Sequence, residues 1–160
     1  MQIHFGGTNC SNCGLLNMGY VMPFNGVVIQ KGDVIAWRQM QSGPAVPRGG
    51  LGMFFGDGTE TNWITQDQNG ETMNNLSTQN AWVYRVVDLS AHAGKTVTMS
   101  FINNDSYSGA GNWDEYFSDI AFSRADGTVI AIYKRSAIGW FHYQRILWRD
   151  QFDLRGRAGG

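Results

Sequence analysis

The sequence predicts an all-β chain folded as an antiparallel β-sandwich, and three features carry that expectation. Short runs of alternating apolar residues recur along the chain, glycine-bearing turn signals separate them, and charged residues make up only 16% of the total, so that Asn, Gln, Ser and Thr carry most of the polarity. A period of two places alternate side chains on opposite faces of a pleated strand, and β-branched and aromatic residues suit that surface. Six to nine short strands with two long polar loops fit two packed sheets better than a single barrel.

Taken in order, Val27–Met40 reads as a turn at Lys31-Gly32-Asp33 followed by a strand in which Ile35 and Trp37 alternate with Val34, Ala36 and Arg38. Ser42–Gly50 holds two prolines and three glycines and predicts a loop. Leu51, Met53 and Phe55 alternate into Gly56-Asp57-Gly58, a turn in which glycine supplies positive φ. The polar stretch Thr59–Asn80 predicts a long surface excursion with a short strand near Trp63, and loops of such length are often functional. Ala81–Val87 is apolar on both alternating sets, Trp82/Tyr84/Val86 and Val83/Val87, which predicts a central strand covered on both faces. Asp88–Lys95 makes a corner, and Val97, Met99 and Phe101 face one way from the next strand. Asn103–Asn112 predicts a second polar loop. Tyr116–Phe122 predicts a strand, and Asp126-Gly127 closes a hairpin to Thr128–Tyr133. Ile138–Trp148 reads as a strand in preference to a short helix, and Arg155–Gly160 as a frayed tail.

At 160 residues the chain fits one domain, divided as an N-terminal extension over residues 1–26, the sandwich over 27–150 and a flexible tail over 151–160. A formal net charge of -1 removes the basic footprint of a nucleic-acid or anionic-membrane binder. No apolar run reaches the ~18–20 residues of a membrane span, and Met1–Tyr20 lacks the basic start and apolar core of a signal peptide. The amide-rich, charge-poor composition nevertheless points to a secreted or cell-surface setting, as a domain of a larger parent protein or a homo-oligomer.

Sugar sites need flat aromatic faces for the apolar side of a ring and amides or carboxylates for its hydroxyls. Both polar loops supply them. Trp63 stands among Asn62 and Asp67; Tyr107 and Trp113 stand among Asn104, Asp105, Asp114 and Glu115. These make Trp63, Asn62, Asp67, Asn104, Tyr107, Trp113 and Asp114 the expected ligand contacts, against the plainer reading that each Trp plugs a sheet edge and each Asn or Asp bonds its own turn. Trp37, Trp82, Trp140 and Trp148 sit in regular alternation and read as core. Glycoside hydrolysis needs two carboxylates ~5–10 Å apart, and the acidic residues are too many to single out a pair. With no Ser-His-Asp ordering, HExxH or phosphate-cradling glycine motif, a non-catalytic role is expected. Cys10 and Cys13 have CxxC spacing, which suits a small disulfide first, two uninvolved thiols next, or half of a zinc site that would need two more ligands from His4, His92, His142 or carboxylates.

Trp82–Phe101 (WVYRVVDLSAHAGKTVTMSF), Tyr116–Phe122 (YFSDIAF), Ile29–Trp37 (IQKGDVIAW) and Asp57–Thr59 together resemble galactose-binding-domain-like jelly-roll modules, closest to the non-catalytic ones of bacterial carbohydrate-binding and RHS-type surface proteins. The resemblance covers about Val27 to Tyr133. It implies jelly-roll topology, a carbohydrate ligand and a structural calcium ion near Asp105 and Asp119. Ser118 stands where these modules usually carry a second acidic residue, and the Cys10/Cys13 segment lies outside their pattern. The alternative implied by the same scaffold is a structural or adhesion module, self-assembling through Trp140, Phe141, Tyr143 and Trp148.

Overall fold

In the computed structural model of the chain, residues 2–9, 16–22, 24–43, 46–62, 64–73, 75–108 and 111–132 are described. They carry eight strands: β1 (Gln2–Asn9), β2 (Leu16–Met22), β3 (Val34–Ser42), β4 (Val46–Phe55), β5 (Val83–Asp88), β6 (Val97–Ser108), β7 (Gly111–Ser123) and β8 (Val129–Ile132). The helical structure among the described residues is one 3-10 turn, Ser90–His92. One sheet has the order β1-β7-β3-β5, with β8 also paired to β7; the other has the order β2-β6-β4. Every pairing is antiparallel, and from β1 to β7 successive strands alternate between the sheets. The all-β sandwich expected from the sequence is the observed architecture.

The core lies between the sheets. Ile35 and Trp37 of β3, Val87 of β5 and Phe117, Ile120 and Phe122 of β7 meet Leu51, Met53 and Phe55 of β4 and Val97 and Ile102 of β6. Each such side chain contributes about 1.5–3 kcal/mol over its exposed state. The turn at Lys31-Gly32, the Gly56-Asp57-Gly58 turn and the Asp126-Gly127 hairpin all form as predicted, with Gly32, Gly58 and Gly127 at φ of 83°, 81° and 84°. In the hairpin, the Arg124 amide donates to Thr128 O at 2.8 Å.

Several expectations are corrected. Residues 1–26 are no extension, because β1 pairs with β7 and β2 with β6. The predicted loop at 42–50 becomes strand from Val46: Pro47 is accommodated at a register irregularity on an edge strand, where a missing N–H costs least. Asn103–Ser108 and Gly111–Asn112 belong to β6 and β7, since ladder partners on β2, β4 and β1 override the local preference of Asn and Ser for turns. β5 is an edge strand with one face open, because the buried members of its alternation are Arg85 and Val87.

Two bulges reset the alternation within strands. Ala36 pairs with Ala121 and Arg38 with Ser118, so two residues of β7 oppose one of β3, and Asp119 takes φ of 55°. The inward set therefore passes from Trp113, Glu115 and Phe117 to Ile120 and Phe122. Thr98 is the extra residue opposite Phe54 and Phe55, after which Ser100 and Ile102 face inward.

The open edge of β5 is closed by one residue. The Gln68 amide N–H donates to Val86 O at 3.0 Å, its side-chain Nε2 donates to Tyr84 O at 2.7 Å, and its Oε1 accepts from the Val86 amide at 2.6 Å. Unpaired strand edges invite association with other chains. Gln68→Ala is expected to cost about 1 kcal/mol and to produce concentration-dependent self-association in sedimentation velocity. A variant that keeps the wild-type sedimentation profile would show that the edge needs no cover.

Candidate functional site

The first predicted ligand loop is bound to the interior. Asp67 accepts from Arg85 Nε at 2.6 Å, with both side chains fully buried, and its other oxygen accepts from the amides of Asn69 and Glu71 at 2.8 and 3.0 Å. Arg85 also donates to Gln39 Oε1 at 2.9 Å and to the carbonyls of Thr72, Glu71 and Met73 at 2.7, 3.3 and 3.4 Å. All five guanidinium N–H groups thus have acceptors, and Cζ lies 4.8 Å from the centroid of the Trp37 ring. Burial pushes the Arg85 pKa down, while the Asp67 carboxylate holds it up. Asn62, also buried, donates to Glu60 Oε2 at 2.9 Å, and burial raises the Glu60 carboxyl. The expected surface excursion is instead a packed loop, with Asn62 and Asp67 buried in it. Trp63 lies outside the described residues.

The same loop is pinned at the far side of the molecule. Thr65 Oγ1 and His92 Nε2 are 2.8 Å apart, and the imidazole is stacked 4.9 Å from Phe55. Burial, and then the charge of Lys95, push the His92 pKa down.

In the second predicted site, Trp113 and Asp114 lie on opposite faces of β7. Trp113 is only 1% exposed, so its ring cannot stack on a ligand, and its Nε1 has no partner. The backbones of Asn104, Asp105 and Tyr107 lie in β6; their side chains, like Cys10, Cys13, Trp140 and Trp148, lie outside the described set. Among the described residues no three His, Cys, Asp or Glu side chains could hold a metal ion. Asp119 accepts from Ser118 Oγ at 3.2 Å and faces Arg38 Nε at 3.8 Å, a cationic neighbour that does not suit calcium coordination, so the described residues around Asp119 do not fit the implied ion.

Among the described residues, Asp114 is the predicted ligand residue that reaches an open surface, and it does so on the outer face of the larger sheet. There the register sets His4 beside Tyr116 and Tyr116 beside Met40, and Trp82 follows on at the start of β5. The His4 and Tyr116 rings stack at 4.5 Å and 10°, and Trp82 stands 6.4 Å from Tyr116 at 52°. Trp82 is 43% exposed, which corrects its assignment to the core. One row along the strands, Gly6, Asp114 and Ser42 are neighbours; on the other side lie Gln2, Ser118, Arg38 and Tyr84, the last 55% exposed. His4 Nε2 donates to Asp114 Oδ1 at 2.7 Å. A Cβ at position 6 would meet that oxygen at 2.8 Å and the imidazole nitrogen at 3.0 Å, so Gly6 is what lets the pair lie across β1. The Trp82 ring and the outer edges of the stacked His4/Tyr116 pair, flanked by carboxylate, guanidinium and hydroxyl groups, can cover the apolar side of a ring and bond its edge. The alternation that assigns His4 to this face is present in the sequence, hidden by reading residues 1–26 as an extension.

Arg85→Ala is expected to destabilise the fold by about 3–5 kcal/mol in urea unfolding, by leaving Asp67 buried without a counter-charge. The double variant Arg85→Met with Asp67→Leu is expected to recover little, because three loop carbonyls and two loop amides lose their partners; full recovery would reduce the cluster to a plain ion pair. His92 generates a pH dependence. Its folded pKa lies below the unfolded one, so the unfolded state binds more protons and stability falls as pH drops through about 6.5. His92→Gln should show a smaller fall in melting temperature between neutral pH and about pH 5; an equal fall would assign the acid sensitivity elsewhere. No family model matches the chain and no curated protein matches it, so its function is read from this geometry.

Proposed function

We propose that the chain is a non-catalytic carbohydrate-binding module of galactose-binding-like, jelly-roll type, working outside the cell, whose ligand lies on the outer face of the larger sheet. The observation that carries the reading is the aromatic row of exposed His4, half-buried Tyr116 and exposed Trp82 on a sheet face, bordered by Asp114 on one side and Arg38 and Tyr84 on the other. Jelly-roll connectivity is supported by the alternation of strands between sheets and by the orders β1-β7-β3-β5 and β2-β6-β4, in which the first and last strands of the alternation are neighbours. Non-catalysis is supported by the engagement of the carboxylates on this face: Asp114 with His4, and Asp119 with Ser118 and Arg38. The competing reading, a structural or adhesion module, draws on Val28, Val129 and Ile130, which are exposed away from the row.

The test is a glycan array, followed by titration of the best ligand and light scattering. Trp82→Ala is expected to weaken binding about tenfold or more, equivalent to ~1.4 kcal/mol, while Ile64→Ala, at a 70% exposed position of the first loop, leaves it unchanged. Loss on Trp63→Ala with Trp82→Ala unaffected would return the site to the loop. An array without binding, together with a large mass that Ile130→Ser reduces, would establish assembly as the role.

A further inference from the structure

We infer that the outer face takes a single soluble, uncharged oligosaccharide chain laid across the strands and several rings long; this rests on the carbohydrate reading of the same face. Direction and length follow from the register. His4, Tyr116 and Met40 come from β1, β7 and β3, side by side in one sheet, and Trp82 immediately precedes β5, whose first residue Val83 pairs with Gln39. Neighbouring strands are ~4.8 Å apart, so the row runs about 14 Å perpendicular to them. His4 and Tyr116 stack on one another and turn their edges outward; one sugar ring covers part of the row and leaves the remainder wet, whereas a chain of rings covers all of it.

The row is not flat. His4 and Tyr116 are within 10° of parallel, but Trp82 is turned 52° from Tyr116, in keeping with the rotation of roughly 20–25° between adjacent strands. A crystalline polysaccharide surface, being planar, needs coplanar aromatic faces, which this row does not offer. A free chain whose successive rings turn relative to one another can follow it.

Charge settles the remaining choice. Among the described residues, the carboxylates of Asp114 and Asp119 border the row, with Arg38 as the one Lys or Arg beside it. The Arg38 guanidinium lies beside Asp119, and His4 is turned onto Asp114. A uronate or sulfated chain would meet like charge at two points. A neutral chain instead finds acceptors for its hydroxyls in those carboxylates and donors in Arg38, Ser118 and Gln2.

The experiment is calorimetric titration with gluco-, xylo- and manno-oligosaccharides from one ring to about six, with oligogalacturonates of equal length, and with pull-down on microcrystalline cellulose. Affinity is expected to climb at least tenfold from the monosaccharide to chains that cross all four strand positions and then to level off. Oligogalacturonates should bind at least tenfold more weakly, and cellulose should retain no protein. His4→Ala and Trp82→Ala, at opposite ends of the row, should each flatten the length dependence while circular dichroism stays unchanged. A monosaccharide as tight as the longest chain, an acidic chain as tight as a neutral one, or retention on cellulose would overturn the inference and leave the carbohydrate reading standing. Silence of every probe, acidic ones included, would end that reading and this inference together.

Discussion

A buried guanidinium is the constraint on which this fold turns. Removing Arg85 from water costs several kcal/mol unless every donor is met, and five acceptors from three separate parts of the chain meet it: Asp67, the carbonyls of residues 71–73, and Gln39. Gln39 passes the network onward, accepting from Trp37 Nε1 at 3.0 Å and donating to Gly49 O at 2.7 Å and Glu115 Oε1 at 2.6 Å. The Glu115 carboxylate occupies the space that a Cβ on Gly49 would take. One polar cluster therefore ties β3, β5 and β7 of one sheet to β4 of the other and to the irregular loop between β4 and β5.

That loop in turn governs the edge of the larger sheet. Asp67 is the anchor, and Gln68 is the next residue, so fixing the Asp67 carboxylate in the core delivers the Gln68 amide to the backbone of Tyr84 and Val86. The far end of the loop is held by the Asn80 amide, which donates to Gln41 O at 2.8 Å, and by the Gln41 side chain on Leu76 O. Trp82 follows two residues later. The position of the outermost aromatic group of the proposed ligand face thus descends from a salt bridge buried on the opposite side of the sheet.

Much of the fold was legible in the residue pattern, and the misses share a cause. Ile35/Trp37 and Leu51/Met53/Phe55 alternate and are buried, and Asp126-Gly127 makes its hairpin, because each depends on local chemistry alone. Arg85 interrupts an apolar strand, and a charged residue there reads as an outward position; its burial depends on acceptors far away in sequence, which no local pattern reveals. The same holds for Asn103–Ser108, polar residues made into strand by partners on β2 and β4. Of the expected ligand contacts, Asp114 reached an open face while Asp67 and Trp113 went inward. Aromatic and amide residues mark a sugar site and a polar core equally well, and only the register separates them.

The bulge at Asp119 couples the core to the proposed ligand face. β7 must bury Phe117 and then Ile120, an odd step that a regular strand cannot make without turning one half of its side chains the wrong way. Inserting one residue solves it, provided that residue accepts positive φ, which Asp does far more readily than β-branched residues. The inserted side chain then faces outward beside Ser118, where it meets Arg38 and sets the polar border of the aromatic row. A bulge also increases local twist, and β7 carries Tyr116 three residues before it, so the feature that keeps Ile120 and Phe122 in the core also contributes to the twist of the sheet from which His4, Tyr116 and Trp82 project.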